Sequence, residues 1–175
     1  MEHVERYMQL YPNDKVVIKG GAAANLIIKS CLGMIIPMND IDISINTTES
    51  CRTIVERWLS ILPGHYVVNY DNYLPTIFNL TGAADNDISF DIFVNEDNFE
   101  FTEKIGPFLV ENLNLMTANL NRDLIGRKAD IDLMRSGAIG WTEKQISDYI
   151  VKYNRMLNRL ELLTRCVRIR NANSH

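Results

Sequence analysis

Three aspartates are the residues whose types and spacing could do chemistry. Asp40 and Asp42 lie two positions apart in 40–46, a stretch that alternates polar and isoleucine residues. Side chains two apart on a strand point the same way, about 6.6 Å from each other. Asp91 occupies a polar position of a second alternating stretch, 87–94. Carboxylates are ligands that Mg²⁺ prefers, and two such ions can activate a hydroxyl and stabilise a departing pyrophosphate. We predict that these aspartates hold two Mg²⁺ or Mn²⁺ ions.

A glycine pair could hold phosphate. A β-rich run, Lys15–Lys19, meets Gly20 and Gly21, and a mostly apolar helix is predicted over 22–32. Glycine lets backbone N–H groups approach a phosphate, and a helix N-terminus adds partial positive charge. Alone, a glycine pair is typical of a turn and an Asp-x-Asp of a solvated face. Their order along the chain, each on the required element, favours a phosphate and metal site.

The elements that must position these residues follow from periodicity and capping signals. Strands are predicted at 15–19, 40–46, 65–70, 74–81 and 87–94, and strand character fades from about Gly106. Helices are predicted at 2–10, 22–32, from a cap at Thr47 or Thr48 to 62, at 114–123, at 127–136, and from a capping box of Thr142 with Gln145. Residues 34–39 are predicted to be a loop.

This order predicts an α/β fold with a small mixed, twisted sheet and helices packed mainly on one face. Residues 1–105 would form the catalytic core, and residues 106–175 a helical C-terminal extension packed on it.

Composition narrows the class of protein. The chain has 175 residues, 46% of them hydrophobic, without an apolar run long enough to span a bilayer. Its N-terminus lacks the features of a secretory signal. Cys31, Cys51 and Cys166 are too widely spaced to indicate a disulfide framework or a zinc cluster, so we expect a cytoplasmic protein without a membrane partner.

Charge is unevenly distributed along the chain. The net charge is −4, yet residues 151–175 carry six basic side chains and one acidic side chain. That basic segment could guide RNA or DNA phosphates. It could equally be a solvated helix face, or a contact to the acidic remainder of the chain.

Three short motifs within residues 15–95 resemble those of the DNA polymerase β-like nucleotidyltransferase superfamily. They are Lys19-Gly20-Gly21, then Asn39-Asp40-Ile41-Asp42-Ile43, then Phe90-Asp91-Ile92. The resemblance implies that Asp40 and Asp42 bind both metals and that Asp91 binds the catalytic one and accepts the acceptor's proton. It also implies that Lys19, Gly20 and Gly21 hold the triphosphate.

Within that superfamily, residues 18–23 and the small size are similar to abortive-infection toxins of the AbiEii type and to phage and viral relatives. Those proteins carry a basic-acidic stretch after the core, which 127–133 resembles. The lysine expected just before it is absent, since Thr117 and Asn121 stand near its place. The cation for the triphosphate would then be Arg122, Arg127 or Lys128, which could otherwise be ordinary surface charge.

The expected function is transfer of a nucleotide, from an NTP such as ATP, onto a hydroxyl of RNA, tRNA or protein. Two alternatives remain open. One is a nucleotidyltransferase of small, antibiotic-type molecules, and the other is an inactive member of the fold that binds only nucleotide or a partner. The sequence leaves the base preference, any antitoxin and the oligomeric state undetermined.

Overall fold

The computed structural model of the chain describes residues 1–38, 40–84, 87–96, 99–137 and 140–173. Helices and strands alternate in the first part of the chain, and two long helices close it. In chain order the elements are α1 (Glu2–Leu10), β1 (Lys15–Lys19), α2 (Gly20–Leu32), β2 (Asp40–Asn46), α3 (Cys51–Ile61), β3 (Tyr66–Tyr70), β4 (Ile77–Gly82), β5 (Ser89–Val94), β6 (Thr102–Ile105), β7 (Phe108–Glu111), α4 (Leu113–Arg135) and α5 (Glu143–Asn173).

The described strands form one mixed sheet in the order β3-β4-β5-β2-β1-β7-β6. β2 and β5 run parallel, as do β1 and β7, while the other neighbouring pairs are antiparallel. The predicted α/β class with a mixed sheet is therefore confirmed.

One face of the sheet carries the hydrophobic core. Ile41, Ile43 and Ile45 of β2 are fully buried, and the alternate residues of β5, from Phe90 to Val94, are buried beside them. Helices α1 and α3 cover this face, because Tyr7 stacks on Trp58 at 4.7 Å and Trp58 packs against Phe90 at 5.3 Å between ring centroids. Period-two alternation thus sends the polar residues of β2 and β5 to the opposite face.

The chain divides into two compact units. One contains Met1–Leu26 and Met34–Asn112, and the other contains Ile27–Gly33 and Leu113–His175. All seven described strands belong to the first unit, which therefore extends past residue 105 to include the β6–β7 hairpin. Within the second unit, α4 packs against α5. Of the helices in the described ranges, none combines the length and apolar character that a membrane crossing requires.

Two features of the fold differ from the sequence predictions. Strands β6 and β7 were not predicted, because each has only four residues and their patterns are short. The helices predicted at 114–123 and 127–136 are one continuous α4, in which Gly126 is an interior residue. A single interior glycine costs roughly 1 kcal/mol relative to alanine, which packing of the buried face offsets.

Helix caps show one prediction confirmed and one wrong. The capping box of α5 forms as expected: Thr142 N donates to Gln145 Oε1 at 2.9 Å, and Gln145 N donates to Thr142 Oγ1 at 3.3 Å. Helix α3 is capped by Ser50, whose Oγ accepts from Thr53 N at 3.1 Å, and not by Thr47 or Thr48. Thr47 is instead engaged by Asp14.

Asp14 is the centre of a hydrogen-bonded cluster that includes residues of α1 and α3. Its carboxylate accepts from the Tyr7 hydroxyl at 2.7 Å, the Thr47 hydroxyl at 2.6 Å and the Arg57 guanidinium at 2.9 Å. The Asp14 side chain is only 5% exposed. Burial, and then the bond to Asp14, raise the pKa of Tyr7, so this phenol stays protonated and remains a donor. The cluster joins the loop before β1 to both helices.

We expect Asp14→Ala to lower the free energy of unfolding by about 3 kcal/mol, because it leaves the buried Tyr7 hydroxyl without its acceptor and removes one of the two carboxylates that pair with Arg57. Urea unfolding followed by circular dichroism measures it. Glu56→Ala is the control: it removes an acid from the exposed pair with Arg52 and should cost at most about 0.5 kcal/mol. Equal losses in the two variants would show that the cluster does not stabilise the fold.

Candidate functional site

A row of polar residues crosses the sheet on the face opposite the core. Pairing places Asp42 of β2 level with Lys19 of β1 and with Asp91 of β5. It continues from Asp91 to Asn79 of β4 and from there to Asn69 of β3. We call these five residues, Lys19, Asp42, Asp91, Asn79 and Asn69, the polar row. Cross-strand partners project from the same face, so the sheet brings these side chains side by side.

The predicted acids fall on and beside this row. Asp42 and Asp91 are direct partners on adjacent parallel strands, which lie about 4.8 Å apart. Both side chains are half-buried. Asp40 begins β2, lies two residues from Asp42 on the same face, is exposed and pairs with Ser89. Asn39, the first residue of the predicted motif, lies outside the described residues.

Gly20 sits directly against Asp42. Helix α2 starts at Gly20, immediately after β1 ends at Lys19, and Gly20 has a φ of +54°. A Cβ placed on Gly20 would lie 2.0 Å from Asp42 Oδ2. Glycine is therefore needed both for the backbone angle and for the space that the carboxylate occupies. Gly21 is the second residue of α2, within the first turn, where backbone N–H groups have no partner inside the helix.

Lys19 supplies positive charge at this end of the row. It is the cross-strand partner of Asp42, and its Nζ lies 5.4 Å from the centroid of the Phe93 ring. A lysine beside the acid pair moderates the local negative charge and is placed where an anionic group would meet the start of α2.

A side-chain clamp that the sequence did not indicate fixes the approach to β2. Asn25 of α2 donates through Nδ2 to the Ile36 carbonyl, and Ile36 N donates to Asn25 Oδ1 at 2.7 Å. The side-chain amide of Asn25 thus makes the pair of hydrogen bonds to the Ile36 backbone that a neighbouring strand would make. Of the loop predicted at 34–39, residues 34–38 are described and belong to no helix or strand, and the clamp holds this segment at Ile36, four residues before Asp40.

Asn79 is a second site residue that sequence reasoning missed. Its Nδ2 donates to Asp91 Oδ1 at 2.7 Å, and its Oδ1 accepts from the Thr81 hydroxyl. The signal was available in β4, where Asn79 and Thr81 alternate with the buried Phe78 and Leu80. Only pairing with β5, however, shows that Asn79 meets Asp91.

The three cations predicted after the core lie on α4 in the second unit. Arg122 donates to Asn119 at 3.1 Å, and Lys128 is exposed. Arg127 lies 5.3 Å from the ring of Tyr149, whose hydroxyl donates to Asp130 at 2.8 Å. Burial, and then Asp130, raise the pKa of Tyr149, which keeps that hydroxyl a donor. Arg127 therefore has a local role between α4 and α5, and a triphosphate role for any of the three stays a prediction.

The donor set suits a hard divalent cation. Among the described residues, no three His, Cys, Asp or Glu side chains converge as a ready-made metal cluster. Mg²⁺ does not require one, because it is commonly held by one or two carboxylates together with waters and substrate phosphates. The partners Asp42 and Asp91 supply two carboxylates, and the space that a Gly20 Cβ would fill is kept for Asp42 Oδ2. These residues fit Mg²⁺ or Mn²⁺.

No protein-family model matches the sequence, and no curated protein matches it. One solved structure, described as the crystal structure of JHP933 from Helicobacter pylori, is similar with a TM-score of 0.44 and 13% identity. The match covers 99% of this chain and 93% of that one.

We expect Gly20→Ala to weaken Mn²⁺ binding about 10–100-fold, because the new methyl group displaces the Asp42 carboxylate. The positive φ should also cost about 1–2 kcal/mol of stability. Calorimetric Mn²⁺ titration and thermal unfolding measure the two effects.

Gly106→Ala separates the two effects. Gly106 has a similar φ of +58°, but a Cβ there would have nothing within 4 Å. This control should lose similar stability and keep the affinity of the parent protein for Mn²⁺. Equal affinities in the parent and both variants would show that Gly20 does not shape a metal site.

Proposed function

We propose that the chain is a divalent-metal-dependent nucleotidyltransferase that moves an NMP from an NTP onto a hydroxyl of RNA, tRNA or protein. The observation that carries the proposal is the level pairing of Asp42 with Asp91 beside Gly20. Two carboxylates directly opposite each other on neighbouring strands destabilise a sheet. A divalent cation that binds both carboxylates would offset their repulsion. A metal-dependent function therefore accounts for an arrangement that packing alone does not explain.

In this proposal, the start of α2 binds the triphosphate. Backbone N–H groups of its first turn, beginning at Gly20 and Gly21, offer donors to phosphate oxygens, and the helix dipole adds positive potential. Lys19 adds a formal charge at the same junction. Because α2 follows β1 without a loop, the phosphates would be held next to Asp42 and not at a distance from it.

Asp40, Asp42 and Asp91 would hold two Mg²⁺ or Mn²⁺ ions. When bound, such ions make an acceptor hydroxyl more acidic and neutralise charge on the triphosphate. The acceptor oxygen forms a bond to the α-phosphorus while the bond from that phosphorus to the oxygen bridging the β-phosphate breaks. Pyrophosphate leaves, and the hydroxyl proton passes to Asp91 and then to water. No oxidation or reduction is involved.

The class of acceptor is the part of the proposal that an assay must decide. The protein is incubated with Mg²⁺ or Mn²⁺, each NTP labelled at the α-phosphate, and total RNA, total protein or a panel of aminoglycosides. Label on RNA or protein supports the proposal. Label on a small molecule supports the antibiotic-type alternative, and NTP binding without transfer indicates an inactive member of the fold.

We expect Asp42→Asn and Asp91→Asn each to abolish transfer with little change in melting temperature, because both side chains lie on the polar face and not in the core. EDTA should abolish transfer by the parent protein. Asp148→Asn makes the same chemical change at an exposed position of α5 and should leave transfer unchanged. Transfer by Asp42→Asn at the rate of the parent would refute the proposed site.

A further inference from the structure

Asn79 stands between Asp91 and Thr81 in a chain of hydrogen bonds. It receives the Thr81 hydroxyl on Oδ1 and donates from Nδ2 to Asp91 Oδ1 at 2.7 Å. Asn79 is half-buried, whereas Thr81 is exposed. The three residues form a directed chain of hydrogen bonds, Thr81 to Asn79 to Asp91, along the polar face of β4 and β5.

The direction of this chain is chemically determined. An asparagine amide has an accepting end and a donating end, and a hydroxyl that donates can bond only to the carbonyl oxygen. The Asp91 carboxylate can only accept, so it holds the NH₂ group of Asn79 towards itself, and the Thr81 hydroxyl supports this orientation by donating to Oδ1 at the other end of the amide. In the opposite orientation the amide oxygen would face a carboxylate oxygen, and two acceptors would repel each other.

Engaging one oxygen of Asp91 has a consequence for ligand binding. Hydrogen bonds to an ionised carboxylate are about twice as strong as neutral ones, so Oδ1 is committed to Asn79 and the plane of the carboxylate is fixed. Oδ2 then remains as the oxygen offered to a cation. Oδ2 does not receive the amide of Asn79, so it is the oxygen of Asp91 better placed to bind a cation.

We propose that Asn79 is a positioning residue that presents Asp91 to a single divalent cation through Oδ2, and that Thr81 supports Asn79 in the orientation that this requires. This inference rests on the proposed function, since it assigns a ligand geometry to one of its three acids. Residues that orient metal ligands without binding the metal themselves commonly contribute about 10–100-fold to metal affinity. Asn79 would assist metal binding without touching metal or substrate.

The test is calorimetric titration of the full-length protein with Mn²⁺ alone. Asn79→Leu removes both hydrogen bonds at similar size and should weaken binding about 10–100-fold. Thr81→Val removes only the hydroxyl and should weaken binding about 2–10-fold, because Asn79 Oδ1 then loses its donor and the amide is held less firmly. Thr81→Ser restores the hydroxyl and should bind like the parent.

Thermal unfolding in the absence of metal is the control that shows whether each variant is folded. Thr81 is exposed, so its valine and serine variants should unfold at similar temperatures, and a difference in Mn²⁺ affinity between them then reports orientation and not stability. This pair also keeps the test valid if Asn79→Leu does not fold.

Two failures can be told apart. If the parent does not bind Mn²⁺, or if Asp42→Asn and Asp91→Asn bind it as the parent does, the proposed function falls together with this inference. If Asp91→Asn loses binding while Asn79→Leu and Thr81→Val match the parent, the metal site stands and the role of Asn79 is overturned.

Discussion

The pairing of β2 with β5 is the constraint on which the candidate site depends. These parallel strands run level from Asp40 with Ser89 to Ile45 with Val94. A slip of one residue would turn every side chain of one strand to the other face, placing Asp91 in the core and Phe90 in water. The buried isoleucines of β2 and the buried Phe90, Ile92 and Val94 therefore fix the position of the acids, although none of them takes part in chemistry. The same pairing of β2 with β5 therefore determines both the packing of the core on one face of the sheet and the positions of the acids on the other.

Two carboxylate environments in the first unit show opposite uses of the same group. Asp14 accepts three hydrogen bonds from Tyr7, Thr47 and Arg57 and is almost fully buried, so its capacity as an acceptor is used within the protein. Asp91 accepts a hydrogen bond from Asn79 on one of its oxygens, and it faces Asp42 across the strands. The first arrangement stabilises the fold. The second sets like charges side by side, which is why we relate it to a ligand.

The alternation in 40–46 and 87–94 was sufficient to predict both strands and the face on which each aspartate lies. It could not give their pairing, because two alternating strands can associate in either direction and at any even shift without exposing a hydrophobic residue. Asn79 escaped prediction for the same reason: β4 has the same alternation, but only its neighbour gives one asparagine a partner. Gly20 was predicted from its place between strand and helix, yet its contact with Asp42 depends on the pairing of β1 with β2.

The remaining differences have local causes. Four-residue strands such as β6 leave too short a pattern to distinguish from a loop. Ser50 caps α3, and not the predicted Thr47, because the Thr47 hydroxyl donates to Asp14, a partner distant in the chain. The helices predicted at 114–123 and 127–136 are continuous, because buried residues lie on both sides of Gly126, here Leu124 and Ile131.

The bond between Asn25 and Ile36 divides the connection between α2 and β2 into two parts with different tolerance to change. Between Gly33 and Ile36 the backbone belongs to no helix or strand, so homologous chains can gain or lose residues there without disturbing the first acid. After Ile36 the path to Asp40 has a fixed length, and an insertion would shift the whole strand against its neighbours. Variation in length among relatives should therefore concentrate before the clamp, which makes Asn25 a landmark for aligning distant sequences.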